Sequence, residues 1–308
     1  MFGYPWMPFL GESALAVAAG VPAVRAEQER GASGDDQVIA MWLHGRSPHT
    51  VRAYAADAAR FRAGAGKPLA EVSLADVQRF ADSLAGLGPA GRYRALSALK
   101  SLLAFAHRIG YLPFDVGRVL RLPGVRNRLA ERILAEADLH RILALEPAAR
   151  NRAMLTLLYA SGMRVSELCG LCWRDLQPAA EGGQVAVFGK GGRTRSVHLP
   201  EQAWMLVTGL RRAADGPDDP IFRSRKKRNG GGLRPAAVWR VVRSAARRAG
   251  IETAVSPHWL RHAHASHALD RGAPIHLVQA TLGHASIATT GRYLHARPKE
   301  SSGRYLSL

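Results

Sequence analysis

Between residues 35 and 122 the apolar positions recur at helical spacing, in blocks broken by turn residues. In VRAYAADAARFRAG (51–64), Val51, Tyr54, Ala58 and Phe61 fall on one face, and Ser47 or Thr50 can cap the helix. Ser73 caps a second helix, LADVQRFADSLAGLG (74–88), which Gly88 and Pro89 end. The third, GRYRALSALKSLLAFAHRIG (91–110), turns Leu96, Leu99, Leu103 and Phe105 inward and Arg92, Arg94, Lys100 and Arg108 outward. The pattern predicts a small all-helical domain with basic faces.

LPGVRNRLAERI (122–133) breaks the periodicity with Pro, Gly and alternating charges, which suits an extended strap. Beyond it, EADLHRILALEP (136–147), ARNRAMLTLLYASG (149–162) and RVSELCGLCWRDL (164–176) read as helices, the second closed by Gly162. QVAVFGKGGRTRSVHLP (184–200) alternates with period two around a glycine-rich turn, a β-hairpin pattern. Helices follow over 202–214, 235–249 and 260–271, with Gly272 as a C-cap. The expected fold is mainly α with a small β-sheet: a helical domain over 35–122, a linker over 123–133 and a mixed α/β domain over 134–297. Residues 1–34 run into GASGDD and are expected to be a poorly ordered extension; 298–308 form a tail.

Composition adds a partner to this picture. The 308 residues are 47% hydrophobic, enough to build a core for each domain. The formal net charge is +19 and the pI about 11.1, so a polyanion would be drawn to the surface, and nucleic acid is the usual one. Residues 223–248 carry ten Lys/Arg and no acid, and RSRKKRNGGG within them is expected to be a flexible basic loop. Cys169 and Cys172 form a C-x-x-C with no second pair, read as two small apolar residues on one helix in a reducing compartment. No stretch approaches the roughly 18 apolar residues of a membrane span. ALAVAAGVPAV (14–24) lacks a basic flank before it and does not suit a cleaved signal, so a cytoplasmic place is expected.

The candidate chemistry concentrates in PHWLRHAHASHALDRGAPIHLVQATLGHASIATTGRYLH (257–295). Tyr293 is a candidate nucleophile, although a phenol of pKa about 10 needs help to lose its proton. Arg164, after Gly162, and Arg261, three residues after His258, can fork onto the non-bridging oxygens of a phosphate. Lys190 lies in the hairpin turn of a chain that otherwise prefers arginine, and lysine can release a proton to a leaving oxygen where arginine cannot. It is not a P-loop lysine, because Gly191 follows it. His284 can donate to a phosphate oxygen, and His258 can do the same or take the proton of Tyr293. His262, His264 and His267 are left to packing. A metal site is not expected, since His258 and His262 lack the glutamate of H-E-x-x-H.

The ordered series Arg164, Lys190, His258-x-x-Arg261, His284, Tyr293 resembles the tyrosine recombinase (phage integrase) family. SGMRVSELCGLCWRDL, FGKGGRTRSVHLP, HWLRHAHASHAL and LGHASIATTGRYLH resemble its boxes, and SPHTVRAYAADAARF and SALKSLLAFAHRIGYL its helical core-binding domain, over roughly residues 36–297. The resemblance implies a SAM-like core-binding domain and a catalytic domain forming a C-shaped clamp on double-stranded DNA. It implies a 3′-phosphotyrosine at Tyr293, a free 5′-hydroxyl, and a homotetramer acting on paired inverted-repeat sites through a Holliday junction, with no cofactor. Arg164, Lys190, His258, Arg261, His284 and Tyr293 take the catalytic positions, and Glu167 a buried acidic position supporting the arginines. DNA contacts are expected from Arg52, Arg92, Arg94, Lys100, Arg193, Arg195, Lys226, Lys227, Arg240 and Arg243. An accessory DNA-binding protein and association with the nucleoid are compatible with this reading.

Ala263 and His264 depart from the hydroxyl and aromatic usual after the second arginine, which concerns packing more than chemistry. The short extension favours a Xer-like or transposon-borne member over a large integrase with an arm-binding domain. The tail is expected to dock on a neighbouring protomer, and Tyr305 lies outside the T-x-x-Y-x-H context. Two other readings remain on the sequence alone. One is a recombinase-like protein that binds or bridges DNA without cutting it; the other, a metal-dependent nuclease, would need a carboxylate cluster.

Overall fold

The computed structural model describes residues 34–124, 129–189, 194–224 and 231–294. The chain separates between Arg126 and Asn127 into two compact units.

The first unit is helical: α1 (Gly34–Leu43), α2 (Pro48–Ala65), α3 (Leu74–Ser83) and α4 (Pro89–Arg108). Ser47, not Thr50, caps α2, its hydroxyl accepting from the Thr50 N–H, and Gly66 closes the helix in the left-handed region at φ 64°. Ser73 caps α3 through a capping box with Asp76. That helix ends at Ser83, short of the expected stop. Gly88 and Pro89 instead open α4 as N-cap and first residue, where the missing proline N–H leaves no helical bond unmade. Phe61, Val77, Phe80, Leu96, Leu99, Leu102 and Leu103 fill the core, with Phe105 half-buried against it.

The second unit contains α5 (Glu136–Ala144), α6 (Ala149–Ser161), α7 (Val165–Cys169), β1 (Leu176–Pro178), β2 (Gly183–Phe188), β3 (Thr194–Leu199), α8 (Glu201–Thr208), α9 (Pro235–Arg248), α10 (Pro257–Asp270), α11 (Ile275–Leu282) and α12 (Ile287–Gly291). α6 is its central helix, packed against α8 and α10 and burying Ala153, Met154, Leu155, Leu157 and Leu158. The hairpin forms as expected, β2 against β3 with Val185 opposite Val197 and both buried, and β1 adds a third antiparallel strand. Its three residues are too few to show alternation.

RVSELCGLCWRDL is not one helix. α7 stops at Cys169, a turn follows at Gly170, and residues Trp173–Asp175 make a single 3-10 turn. Cys169 and Cys172 therefore do not share a helix, and both are free thiols. α10 starts at Pro257, three residues before the expected start, which brings His258 into its first turn. Among the described residues no helix is long and apolar enough to cross a membrane.

Candidate active site

The site starts where α6 ends. Gly162 adopts φ 57°, and a Cβ there would lie 2.6 Å from Leu282 and 2.8 Å from His264, so both backbone and space require glycine. The turn sets Arg164 at the N-cap of α7. Its backbone N–H donates to Glu167 Oε2 at 2.7 Å, and its Nη1 to Glu167 Oε1 at 2.9 Å. Arg195, from β3, donates Nη1 and Nη2 to the same carboxylate at 3.1 and 2.8 Å, and Nε to the Thr281 carbonyl at 2.7 Å. Burial alone would raise the Glu167 pKa, but the bonds from Arg195 and Arg164 outweigh it and hold the carboxyl below its usual range. The Glu167 carboxylate thus accepts from both arginines. Arg195, a candidate DNA contact, has only 12% of its side chain exposed and ties β3 to α7 and α11.

Arg261 is 2% exposed. Its Nη1 donates to the Gly162 carbonyl at 2.6 Å and its Nη2 to the Leu282 carbonyl at 2.7 Å. Consecutive carbonyls at the end of α11 therefore hold Arg195 and Arg261, where a helix C-terminus favours cations. Among the described residues no carboxylate lies within salt-bridge distance of Arg261. Burial, then the neighbouring Arg164, push its pKa down to about 10.

Tyr293 follows α12 and is 7% exposed. Its hydroxyl meets Nδ1 of His262 at 2.7 Å. His284, placed after Gly283 at φ 66°, lies parallel to the Tyr293 ring at 6.5 Å, and its Nδ1 meets the buried Thr290 hydroxyl at 2.9 Å. His258, one helical turn before His262, packs edge-on against it at 4.5 Å. Burial and the surrounding cations disfavour every imidazolium here. Desolvation comes first in each case: His258 is lowered, His284 falls to about 4 and His262 to about 3. Burial raises the Tyr293 phenol, and Arg261 offsets part of that. All three histidines are neutral at pH 7, and Tyr293 keeps its proton in the absence of DNA.

His264 and His267 do meet backbone carbonyls, Tyr159 at 2.7 Å and Leu134 at 3.0 Å. His262 does not fit the packing role given to it, because its partner is the candidate nucleophile. The available signal was its spacing of four residues from His258, which puts both on one helix face.

Arg164, Arg195 and His284 line one cleft, together with Gly189, which immediately precedes Lys190. Lys190 itself, with Arg193, Lys226, Lys227 and Tyr305, lies outside the described residues. Of the other basic candidates, Arg52 is exposed on α2, and Arg240 and Arg243 line an open groove along α9 with Arg247. Arg92 is half-buried on α4. Arg94 pairs with buried Asp57, and Lys100 donates to the Arg118 and Leu120 carbonyls at 3.2 and 3.0 Å, so both also hold the helical unit together. Among the described residues no cluster of three or more His, Cys, Asp or Glu side chains is suited to a metal ion.

Comparison with known proteins bears on most of the chain. The model of the Phage integrase family matches residues 131–300, and that of the Phage integrase N-terminal SAM-like domain matches residues 41–110. Tyrosine recombinase XerC of Xanthomonas campestris pv. campestris (strain B100) is 34% identical over 260 residues, covering 81% of this chain and 79% of that protein. Among solved structures, XerH site-specific recombinase in a post-cleavage complex with palindromic difH substrate superposes with a TM-score of 0.70 at 22% identity, covering 89% of this chain and 84% of that one. A lambda integrase tetramer bound to a Holliday junction superposes with a TM-score of 0.69 at 18% identity, covering 86% and 77%. At those identities the superpositions speak to fold alone. With a catalytic family model spanning more than half its length and relatives above 30% identity, the chain belongs to the phage integrase family of tyrosine recombinases.

Proposed function

We propose that the chain is a site-specific DNA recombinase in which the Tyr293 hydroxyl attacks the scissile phosphate. The observation that carries this reading is Arg261: a buried guanidinium held by two carbonyls, with no carboxylate in salt-bridge distance among the described residues, and with the buried Tyr293 hydroxyl among its electrostatic neighbours. A buried cation without a counterion is costly, and a phosphodiester oxygen provides the missing anion. Arg164, anchored by Glu167, offers the second guanidinium. As Tyr293 Oη bonds to phosphorus, charge builds on the non-bridging oxygens, where Arg164, Arg261 and His284 stabilise it. The bond from phosphorus to the 5′ oxygen breaks, and Lys190 gives that oxygen its proton. The 3′-phosphotyrosine keeps the bond energy, and the 5′-hydroxyl of a partner strand reverses the step.

No metal or nucleotide takes part in this scheme. Relatives named as Xer recombinases and a neighbouring fold solved as a tetramer on a Holliday junction support action on paired DNA sites. The test is a nicked duplex carrying the site that the full chain selects from a random-sequence pool. The parent protein is expected to form a covalent adduct, with or without EDTA, and Tyr293→Phe none. Adduct that survives Tyr293→Phe removes the assignment. Stable binding with no adduct from the parent protein favours a DNA-bridging role.

A further inference from the structure

We propose that Thr290 is a positioning residue for the reaction: its hydroxyl holds the His284 ring in the one tautomer that can donate to the scissile phosphate, and its backbone ties that ring to the nucleophile. This rests on the reading of Tyr293 as nucleophile. Thr290 is 0% exposed and lies on α12, three residues before Tyr293. Its Oγ1 is 2.9 Å from His284 Nδ1, and its carbonyl accepts from the Tyr293 N–H at 3.0 Å. One buried residue therefore bonds both the His284 ring and the backbone that carries the attacking hydroxyl.

The direction of the hydroxyl bond decides what His284 can do. A neutral imidazole has one N–H and one bare nitrogen. Among the described residues His284 Nδ1 is the hydrogen-bond partner of the Thr290 hydroxyl, and burial denies that hydroxyl bulk water. The hydroxyl proton therefore goes to Nδ1, since otherwise it is buried without an acceptor. His284 then carries its own proton on Nε2. The reverse arrangement, Nδ1–H toward Oγ1, would turn a lone pair on Nε2 toward a phosphate oxygen and repel it. Protonation does not supply the second N–H: desolvation first, then Arg261 and Arg164, hold the ring at a pKa of about 4. His284 opens on the cleft that it lines with Arg164 and Arg195. Its main chain is fixed separately, the N–H donating to the Gln279 carbonyl and the carbonyl accepting from Gln279 Nε2, both at 3.1 Å. What remains is the rotation and tautomer of the ring, and Thr290 sets both.

Nitrogen-15 NMR of the full chain, labelled in its histidine rings, reads the tautomer directly, with His284→Gln assigning the signal. At neutral pH the parent is expected to carry the His284 proton on Nε2. Thr290→Val, which keeps the volume and loses the donor, should mix the two tautomers. A parent ring protonated on Nδ1 overturns the proposal. On the selected nicked duplex, Thr290→Val is expected to slow single-turnover adduct formation about 10-fold with DNA affinity unchanged. Thr290→Ser, which keeps the hydroxyl and loses the methyl, should stay within about twofold of the parent. A packing role alone predicts the opposite order, because serine leaves a cavity and valine does not. A valine variant at the parent rate, or a serine variant as slow as the valine one, therefore also overturns the proposal. If Thr290→Val does not fold, the parent spectrum and the serine variant decide. Adduct that persists in Tyr293→Phe would remove the nucleophile assignment, while the His284 spectrum would still settle the tautomer.

Discussion

In the helical unit the deeply buried charges are carboxylates, and each has donors around it. Asp35 accepts from the Leu69 N–H at 3.1 Å and the Tyr111 hydroxyl at 2.8 Å, Asp57 pairs with Arg94, and Asp76 takes Ser73 and Lys67. In the second unit Glu146 follows the same rule with Arg248. Beside Tyr293 the arrangement reverses: the buried charge is Arg261, bonded to carbonyls with no carboxylate in salt-bridge distance among the described residues, and neutral histidines surround the tyrosine. The difference separates charge that stabilises a fold from charge kept for a ligand. A satisfied carboxylate holds chain segments together; a cation lacking its anion marks where an anion belongs.

The first way to break this comparison is Arg261→Gln. Loss of the buried guanidinium is expected to slow single-turnover cleavage about 1000-fold, with a smaller effect on DNA binding. A rate near that of the parent would mean that Arg261 is structural after all. Next comes Arg195→Leu. It leaves Glu167 with Arg164 alone and frees the Thr281 carbonyl, so Arg164 and the loop bearing His284 lose a common anchor. Cleavage should fall about 100-fold while the salt dependence of DNA binding stays unchanged, because the Arg195 guanidinium is already taken up by Glu167 and the Thr281 carbonyl. A reduced salt slope would return Arg195 to the DNA contacts.

In the helical unit the expected effect is on stability. Asp35→Ala orphans the Leu69 N–H and the Tyr111 hydroxyl and should cost about 2 kcal/mol in denaturant melts. Variant bound to DNA at saturation should still cleave at the parent rate. Slowed chemistry there would show that the two units are coupled beyond charge.

The smallest effect is a slope. His262 falls to about 3 in the fold, and an unfolded histidine titrates near 6.5. Below about pH 6.5 the unfolded chain therefore binds a proton that the fold refuses. The stability is fully present above that pH and is lost progressively as pH falls toward 3, by up to about 1.4 kcal/mol per pH unit for each such histidine. His262→Phe should flatten this dependence between pH 6 and 4. Equal slopes in melts of parent and variant would mean that His262 is not held neutral.

Local chemistry was the legible part of the fold. Ser47 and Ser73 announce their helices because a cap needs a side-chain acceptor at one position, and the hairpin shows its period of two. Gly88-Pro89 misled because proline both ends helices and opens them, and which it does depends on packing beyond the dipeptide. In the site, Arg164, Glu167 and Arg261 could be named from motif order. Arg195 could not be sorted from its neighbours, since basic character in a turn sequence says nothing about burial. His262 was hidden for a different reason: its partner Tyr293 is 31 residues away in sequence, and only the packing of α10 against the segment after α12 brings the two together.

Mapping the covalent adduct tests the central claim most directly. The selected nicked duplex is incubated with the full chain, digested, and the DNA-linked peptide sequenced by mass spectrometry. The account predicts one linkage, a 3′-phosphoryl group on Tyr293, with a free 5′-hydroxyl on the released strand. A linkage on any other residue, Tyr305 included, or through a 5′-phosphate, would contradict it.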